Sequence, residues 1–86
     1  MIVEIDINIP HELYNIIDYT IETDGKIKLI DVKDRYHIVY DIEATKVIVY
    51  LKLGELVIHR CEFKPQPRIT VDLPFEKIEL IRKLMV

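Results

Sequence analysis

The 86-residue chain contains one cysteine, no tryptophan and two glycines. Because Cys61 has no partner within the chain, an internal disulfide cannot form and a zinc cage built from cysteines is excluded. Two glycines are too few for most backbone N–H cradles that bind phosphate, and no GxSxG, GxGxxG or HExxH motif occurs. The sequence therefore predicts no catalytic residues, no metal site and no cofactor, and it favours a protein that is not an enzyme.

Long apolar runs are also missing, since none approaches the ~18–20 residues that span a bilayer. The N-terminus lacks a basic flank and its apolar residues alternate with polar ones, so we expect no signal peptide. With a single cysteine, these absences predict a soluble cytoplasmic protein with no membrane partner. Side-chain amides are scarce beside abundant Ile, Lys and Glu, a composition compatible with a thermophilic source and equally with AT-rich coding.

Basic residues are absent from residues 1–25, where six acidic residues lie, and the net charge of the chain is −3. This balance argues against a general binder of phosphate backbones. The best local basic group is Arg60, Lys64 and Arg68, with the aromatic Phe63 nearby. It predicts an alternative function, a nucleic-acid-associated regulator that uses this small basic strand edge.

Four apolar segments dominate the centre of the chain and are separated by very short breaks, which favours an antiparallel meander. Gly54-Glu55 fits a two-residue hairpin turn with glycine first. One further strand on each side of the meander is indicated by strict alternation of apolar and polar residues. The predicted strands are Val3–Ile9, Lys26–Val32, Arg35–Asp41, Thr45–Leu53, Glu55–Phe63 and Arg68–Leu73.

Two stretches have helical spacing. After Pro10, apolar residues recur at intervals of three and four, which predicts an amphipathic helix over Pro10–Glu22. Asp24-Gly25 is also a hairpin signal, so in an alternative reading the helix ends near Asp18 and a strand at Tyr19–Thr23 pairs with Lys26–Ile30. The second stretch follows Pro74, where four residues share a helical stripe: Phe75, Ile78, Ile81 and Met85.

The resulting order, β-α-β-β-β-β-β-α, predicts an α+β fold in a single domain over residues 1–86. We expect a two-layer sandwich, in which two short amphipathic helices cover a mainly antiparallel sheet of about five to six strands. Ile48 and Tyr50 lie on the opposite face of the third segment, which two helices cannot easily cover as well. Tyr36 and Tyr40 add side chains suited to interfaces. These four residues are the predicted interaction site, and they predict a homodimer or larger homo-oligomer.

His59 and Cys61 are two residues apart and share one face of a predicted strand. Same-face neighbours in a strand lie ~6.5–7 Å apart, so we expect no direct hydrogen bond between them. The pair is interpreted as a half-buried thiol beside an imidazole rather than as half a metal site or an activated nucleophile.

The leading functional hypothesis is a small intracellular non-enzymatic interaction protein that self-associates and binds a protein partner. The alternatives are the nucleic-acid-associated regulator and a small ligand-binding or hydrolase domain with a pocket between helix and sheet. No motif identifies the partner.

Overall fold

The computed structural model describes residues 1–85 and confirms an α+β fold with mostly antiparallel sheets. Seven strands form a four-stranded sheet in the order β3-β4-β1-β7 and a three-stranded sheet in the order β2-β5-β6. No helix in the part of the chain described is long and apolar enough to cross a membrane. The elements are β1 (Ile2–Asn8), β2 (Ile17–Thr23), β3 (Lys26–Asp34), β4 (His37–Glu43), β5 (Val47–Leu53), β6 (Leu56–Phe63), β7 (Arg68–Asp72) and α1 (Phe75–Leu84), with a 3-10 turn at His11–Leu13.

Strand β1 is an inner strand of the four-stranded sheet. It pairs antiparallel with β4, where Ile5 lies opposite Ile38, and parallel with β7, where Ile5 lies opposite Ile69. The alternation predicted for this strand holds, because Val3, Ile5 and Ile7 are buried while the acidic residues between them face outward.

The predicted helix over Pro10–Glu22 is wrong. Only the short 3-10 turn forms, and a further turn follows at residues 14–16. Strand β2 begins at Ile17 and pairs with β5, so that Tyr19 lies opposite Leu51 and Ile21 opposite Val49. Residues Ile17–Thr23 also alternate apolar and polar, and they are rich in the β-branched and aromatic types that suit strands. Pairing with a buried strand outweighs the helical spacing. The alternative reading found this strand but gave it the wrong partner.

Strands β2 and β3 together form one side of a long ribbon, and β4 and β5 form the other side. The ribbon bends from one sheet into the other between its two halves, at Asp24-Gly25 on one side and at residues 44–46 on the other. The Asp24 carboxylate accepts hydrogen bonds from the backbone N–H of Thr45 at 2.8 Å and of Lys46 at 3.1 Å, and from the Thr45 hydroxyl. These bonds, above all the one from the Thr45 side chain, lower the Asp24 pKa and fix the bend.

Gly25 is therefore part of a bend and not of a hairpin turn. Its φ is not positive, as a type I′ turn would require. Glycine is needed because a Cβ at this position would lie 2.1 Å from the carbonyl oxygen of Glu43. Gly54 does make the predicted turn, since its φ is +61° and Leu53 pairs with Leu56 across a two-residue loop.

The far end of the ribbon closes at the two-residue loop Arg35-Tyr36. The Tyr36 backbone N–H donates to the Asp34 carboxylate at 2.8 Å, and the Tyr36 ring turns into the core. Its hydroxyl lies within hydrogen-bonding distance of the carbonyl oxygens of Tyr14 and Ile17, the latter at 2.6 Å. Both sheets contribute to the core that surrounds this ring, with Val47, Val49 and Leu51 of β5 among its most buried members.

Helix α1 is the single α-helix among residues 1–85, so the predicted pair of covering helices is not formed. Ile78 and Ile81 of its predicted stripe face the core, whereas Phe75 is exposed. Arg82 binds the Glu12 carboxylate through Nε at 2.7 Å, which joins α1 to the 3-10 turn.

Candidate interaction surface on strand β3

Strand β3 is one of the two outer strands of the four-stranded sheet, and all nine of its residues are exposed. Four of them are apolar, with 38% to 55% of their surface open to solvent: Ile27, Leu29, Ile30 and Val32. An edge strand presents a row of unpaired backbone N–H and C=O groups on its free side. A long apolar edge of this kind is a template for pairing with another chain.

One face of β3 continues the face of β4 that packs on the core. Ile27 lies opposite Ile42, Leu29 opposite Tyr40, and Val32 opposite Ile38. Side chains directly opposite each other in a sheet share a face. Ile42 and Ile38 are buried, whereas their β3 neighbours are not, so the cover over the core ends at β4. We call Ile27, Leu29 and Val32 the β3 strip.

The other face of β3 is charged. Lys26 lies opposite Glu43 and Lys28 opposite Asp41, so two cations are matched by two acids across the strand pair. With Ile27, these four residues line an open recess of about 430 Å³. The recess has a size typical of ligand pockets, but it is open to solvent and charged rather than enclosed and apolar.

Two irregularities interrupt the pairing of β3 with β4, one between Leu29 and Asp31 and one between Val32 and Asp34. Ile30 and Lys33 are the extra residues. Such bulges increase the local twist and, with lysines, are devices that protect sheet edges. Lys33 is drawn away from the free edge because its Nζ donates to Glu4 at 3.2 Å.

The other outer strands expose less apolar surface. β7 has five residues, its apolar residues are buried, and Pro67 precedes it. β2 holds Tyr19 and Ile21 partly buried against the core. β6 exposes Leu56 and Val57 beside its hairpin turn, while most of its remaining residues are half-buried. β3 therefore carries the longest exposed apolar edge in the described part of the chain.

Glu4 organises the charged face near the end of β3. His37 Nε2 lies 2.5 Å from Glu4 Oε1, and Lys33 binds the same oxygen. The hydrogen bond with His37, followed by the one with Lys33, lowers the Glu4 pKa. The sequence gives no sign of this contact, because only the pairing of β1 with β4 brings Glu4 and His37 together.

The structure separates the four residues predicted to form an interaction site. Ile48 lies on the outer face of β5 between Glu22 and Glu62, and only 9% of its surface is exposed. The Tyr50 hydroxyl donates to Glu22 at 3.3 Å, and Tyr36 is in the core.

Tyr40 is half-buried beside Leu29, and burial raises its pKa. It alone of the four adjoins the β3 strip. Ile48 is therefore not part of an exposed apolar surface, whereas the β3 strip is, and contact of the four predicted residues with a partner stays a prediction.

The predicted basic group is divided between elements. Arg60 on β6 pairs with Glu62 at 3.2 Å, and Arg68 on β7 lies 3.6 Å from Asp6. Phe63 packs against the core, which leaves its ring poorly placed to stack on a base, and Lys64 is exposed. Two of the three cations therefore have acidic neighbours.

The expectation that His59 and Cys61 would not touch is wrong. Cys61 Sγ lies 2.9 Å from His59 Nε2. Side chains in strands lean along the strand direction. In addition, the pairing of β5 with β6 becomes irregular directly next to His59, which lies opposite Leu51. Burial, and secondarily Asp72, raises the Cys61 pKa, so the sulfur is held as a thiol and not as the reactive thiolate. Among the described residues, no three His, Cys, Asp or Glu side chains are grouped as a metal ion would require.

Comparison with models of protein families, with curated proteins and with solved structures finds no match to the chain. The function is therefore inferred from the surface of the molecule. Sequence reasoning found the apolar residues of β3 but could not know that this strand would be an edge. The sequence signal was that Ile27 and Leu29 fall at odd positions and Ile30 and Val32 at even positions, so a strand without irregularities would carry apolar side chains on both faces.

Proposed function

We propose that the protein is a non-enzymatic interaction protein that self-associates through strand β3. The observation that carries this proposal is a nine-residue edge strand, exposed throughout, whose β3 strip extends the buried face of the sheet. Adding a strand to an open sheet edge is a common mode of protein recognition, because backbone hydrogen bonds supply affinity and side chains supply specificity. In this proposal the two sheets stack as two layers and form the scaffold that holds β3 in place.

The expected affinity is moderate. Fully burying a Val, Leu or Ile side chain contributes ~1.5–3 kcal/mol. The β3 strip and Ile30 are already about half buried, so covering all four side chains on each of the two copies yields roughly 6–12 kcal/mol, to which backbone hydrogen bonds add ~0.5–1.5 kcal/mol each. Association itself costs several kcal/mol. We therefore expect dimerisation in the micromolar range.

Sedimentation velocity from about 1 to 500 µM tests the proposal, a range that spans the expected constant. A Leu29→Lys/Val32→Lys variant should remain monomeric while keeping the circular dichroism spectrum of the wild type. The matched control is Leu80→Lys/Leu84→Lys on α1, which changes two leucines that are 53% and 69% exposed and should leave association intact. A wild-type monomer at the highest concentration, or association that persists in the β3 variant, would overturn the proposal.

A further inference from the structure

We propose that two copies pair through β3 in antiparallel orientation, about a two-fold axis near Leu29 and Ile30. This inference rests on the proposed self-association through β3 and adds the arrangement of the two chains. The two four-stranded sheets then become one continuous sheet of eight strands. The arrangement follows from the order of charges along β3, from its faces and from its irregularities.

The charged face of β3 is basic in its first half and acidic in its second. Lys26 and Lys28 come first, and Asp31 and Asp34 follow. All four lie on the charged face, as their pairing with β4 shows. Because antiparallel pairing reverses one strand, Lys28 of one copy lies opposite Asp31 of the other, and Lys26 lies opposite Asp34. Opposite charges in such cross-strand positions stabilise a sheet.

The β3 strip is covered in the same arrangement. Ile27 of one copy lies opposite Val32 of the other, and Leu29 lies beside its own counterpart at the axis. Each of these side chains then has an apolar neighbour on its formerly open side, in addition to its β4 neighbour. The second copy of the chain thus covers the part of the core face that β3 leaves exposed.

The irregularities of β3 make the register consistent. In a strand without irregularities, an odd-numbered and an even-numbered residue point to opposite faces. Lys28 and Asp31 nevertheless share a face, as do Ile27 and Val32, because Ile30 is an extra residue between them. Pairing Lys26 with Asp34 needs one further extra residue, and Lys33 occupies that place. Since Lys33 binds Glu4 of its own chain, its positive charge is kept out of the new strand pair.

Parallel pairing of β3 with itself is disfavoured by the two faces of the strand. Both copies must offer the same free edge, so in a parallel pair one copy is turned over about the strand direction, and its charged face lies beside the β3 strip of the other copy. Antiparallel pairing instead places strip beside strip and charged face beside charged face. A two-fold contact of this kind closes at a dimer and does not propagate into a fibre.

Disulfide cross-linking of the full chain tests the orientation, in a Cys61→Ala background that leaves no other thiol. Oxidation of an equimolar mixture of Lys26→Cys and Asp34→Cys chains should give a mixed dimer, and Leu29→Cys alone should cross-link to itself. Lys26→Cys alone should give no dimer, because two such residues would lie three positions on either side of the axis at Leu29, about 20 Å apart, whereas a disulfide needs Cα atoms within about 7 Å. Self-linking of Lys26→Cys with no mixed product would overturn the antiparallel arrangement.

Charge reversal provides an independent readout of the same pairing. Lys28→Asp alone and Asp31→Lys alone should each raise the dimer dissociation constant about tenfold, because each dimer contains two of these pairs. The Lys28→Asp/Asp31→Lys double variant exchanges the charges and should return the constant to within about threefold of the wild type. Additive weakening in the double variant would refute the pairing. If Leu29→Lys/Val32→Lys leaves association intact, the proposed function fails as well; if that variant is monomeric but the cross-links or the charge rescue fail, only the antiparallel arrangement fails.

Discussion

Replacing Gly25 by alanine tests the bend of the ribbon. At a position with ordinary φ, Gly→Ala stabilises a protein by ~0.4–1 kcal/mol, because the unfolded chain loses freedom. Here the added Cβ would lie 2.1 Å from the Glu43 carbonyl oxygen, well inside any acceptable contact. The obstructing atom belongs to the backbone, so it cannot rotate away as a side chain can.

The steric cost should decide whether Gly25→Ala stabilises or destabilises the fold. Overpacking against fixed neighbours costs ~1–3 kcal/mol, and a backbone obstacle places Gly25→Ala towards the upper end. After subtraction of the entropic gain, the net loss is about 1–2 kcal/mol. For a domain of this length, that loss lowers Tm by roughly 5–15 °C.

Gly54 supplies the matched control, because its φ of +61° is the only requirement there and nothing lies within 4 Å of an added Cβ. Asparagine tolerates such a φ, so Gly54→Asn should be nearly neutral in thermal denaturation, while Gly25→Asn should be at least as harmful as Gly25→Ala. A Gly25→Ala variant with an unchanged or raised Tm would show that Glu43 can move and that the bend does not depend on glycine.

Three further predictions concern single side chains. Tyr36→Phe should lower the free energy of unfolding in urea denaturation by ~0.5–1.5 kcal/mol, because the hydroxyl that reaches the Ile17 carbonyl is lost. Tyr50→Phe is the control, and an equal loss in both variants would contradict a structural role for the Tyr36 hydroxyl. The pKa of Glu4 is lowered, so its hydrogen bonds stabilise the fold fully at a pH above the ordinary pKa of 4.5, and this stability is lost as the pH falls through the lowered pKa. Between pH 7 and pH 3, the Tm of Glu4→Gln should therefore fall less steeply than the Tm of the wild type. Parallel curves of Tm against pH for the two proteins would argue against the role of His37. Burial, and then the neighbouring tyrosines, raises the pKa of Tyr19 to about 12, so the stability contributed by its neutral phenol is complete below pH 10 and is lost as the pH rises towards 12. Because burial also raises the pKa of Tyr36 and Tyr40, Tyr19→Phe should reduce the amplitude of the late phenolate transition in ultraviolet absorbance, and an unchanged late amplitude would contradict the assignment.

Strands with strict alternation were predictable from the sequence. The pattern of β1 fixed which side chains are buried, and Gly54 indicated its hairpin because positive φ is a local property of one residue. The stretch Ile17–Thr23 was not predictable with the same security, since its residues satisfy both a helical and an alternating pattern. The choice between them depends on contact with β5, which lies about 30 residues further along the chain.

The interaction surface shows the same limit. The sequence led us to expect an apolar face around Ile48 that the chain itself could not cover, whereas only 9% of the Ile48 surface is exposed. Strand order decides the matter, because β5 lies in the middle of its sheet and β3 lies at the edge of the other. Strand order is set by pairings between distant residues, and no local pattern reports it.

The long ribbon has a consequence for the order in which the molecule folds. All of its pairs nest around the loop Arg35-Tyr36, so it can close from that loop outward with small losses of chain entropy at each step. The pairing of β1 with β7 instead joins segments as far apart as Asn8 and Asp72, which are separated by 64 residues. Contacts of such long range form slowly.

We therefore expect the amides of β2 to β5 to gain protection before those of β1 and β7 in pulse-labelling hydrogen exchange during refolding. Until β1 arrives, β4 is itself an outer strand on the side away from β3. The folding chain then exposes Ile38 and Ile42 on an unpaired edge, and the protein is most prone to aggregate in that interval. Simultaneous protection of all seven strands would contradict this order.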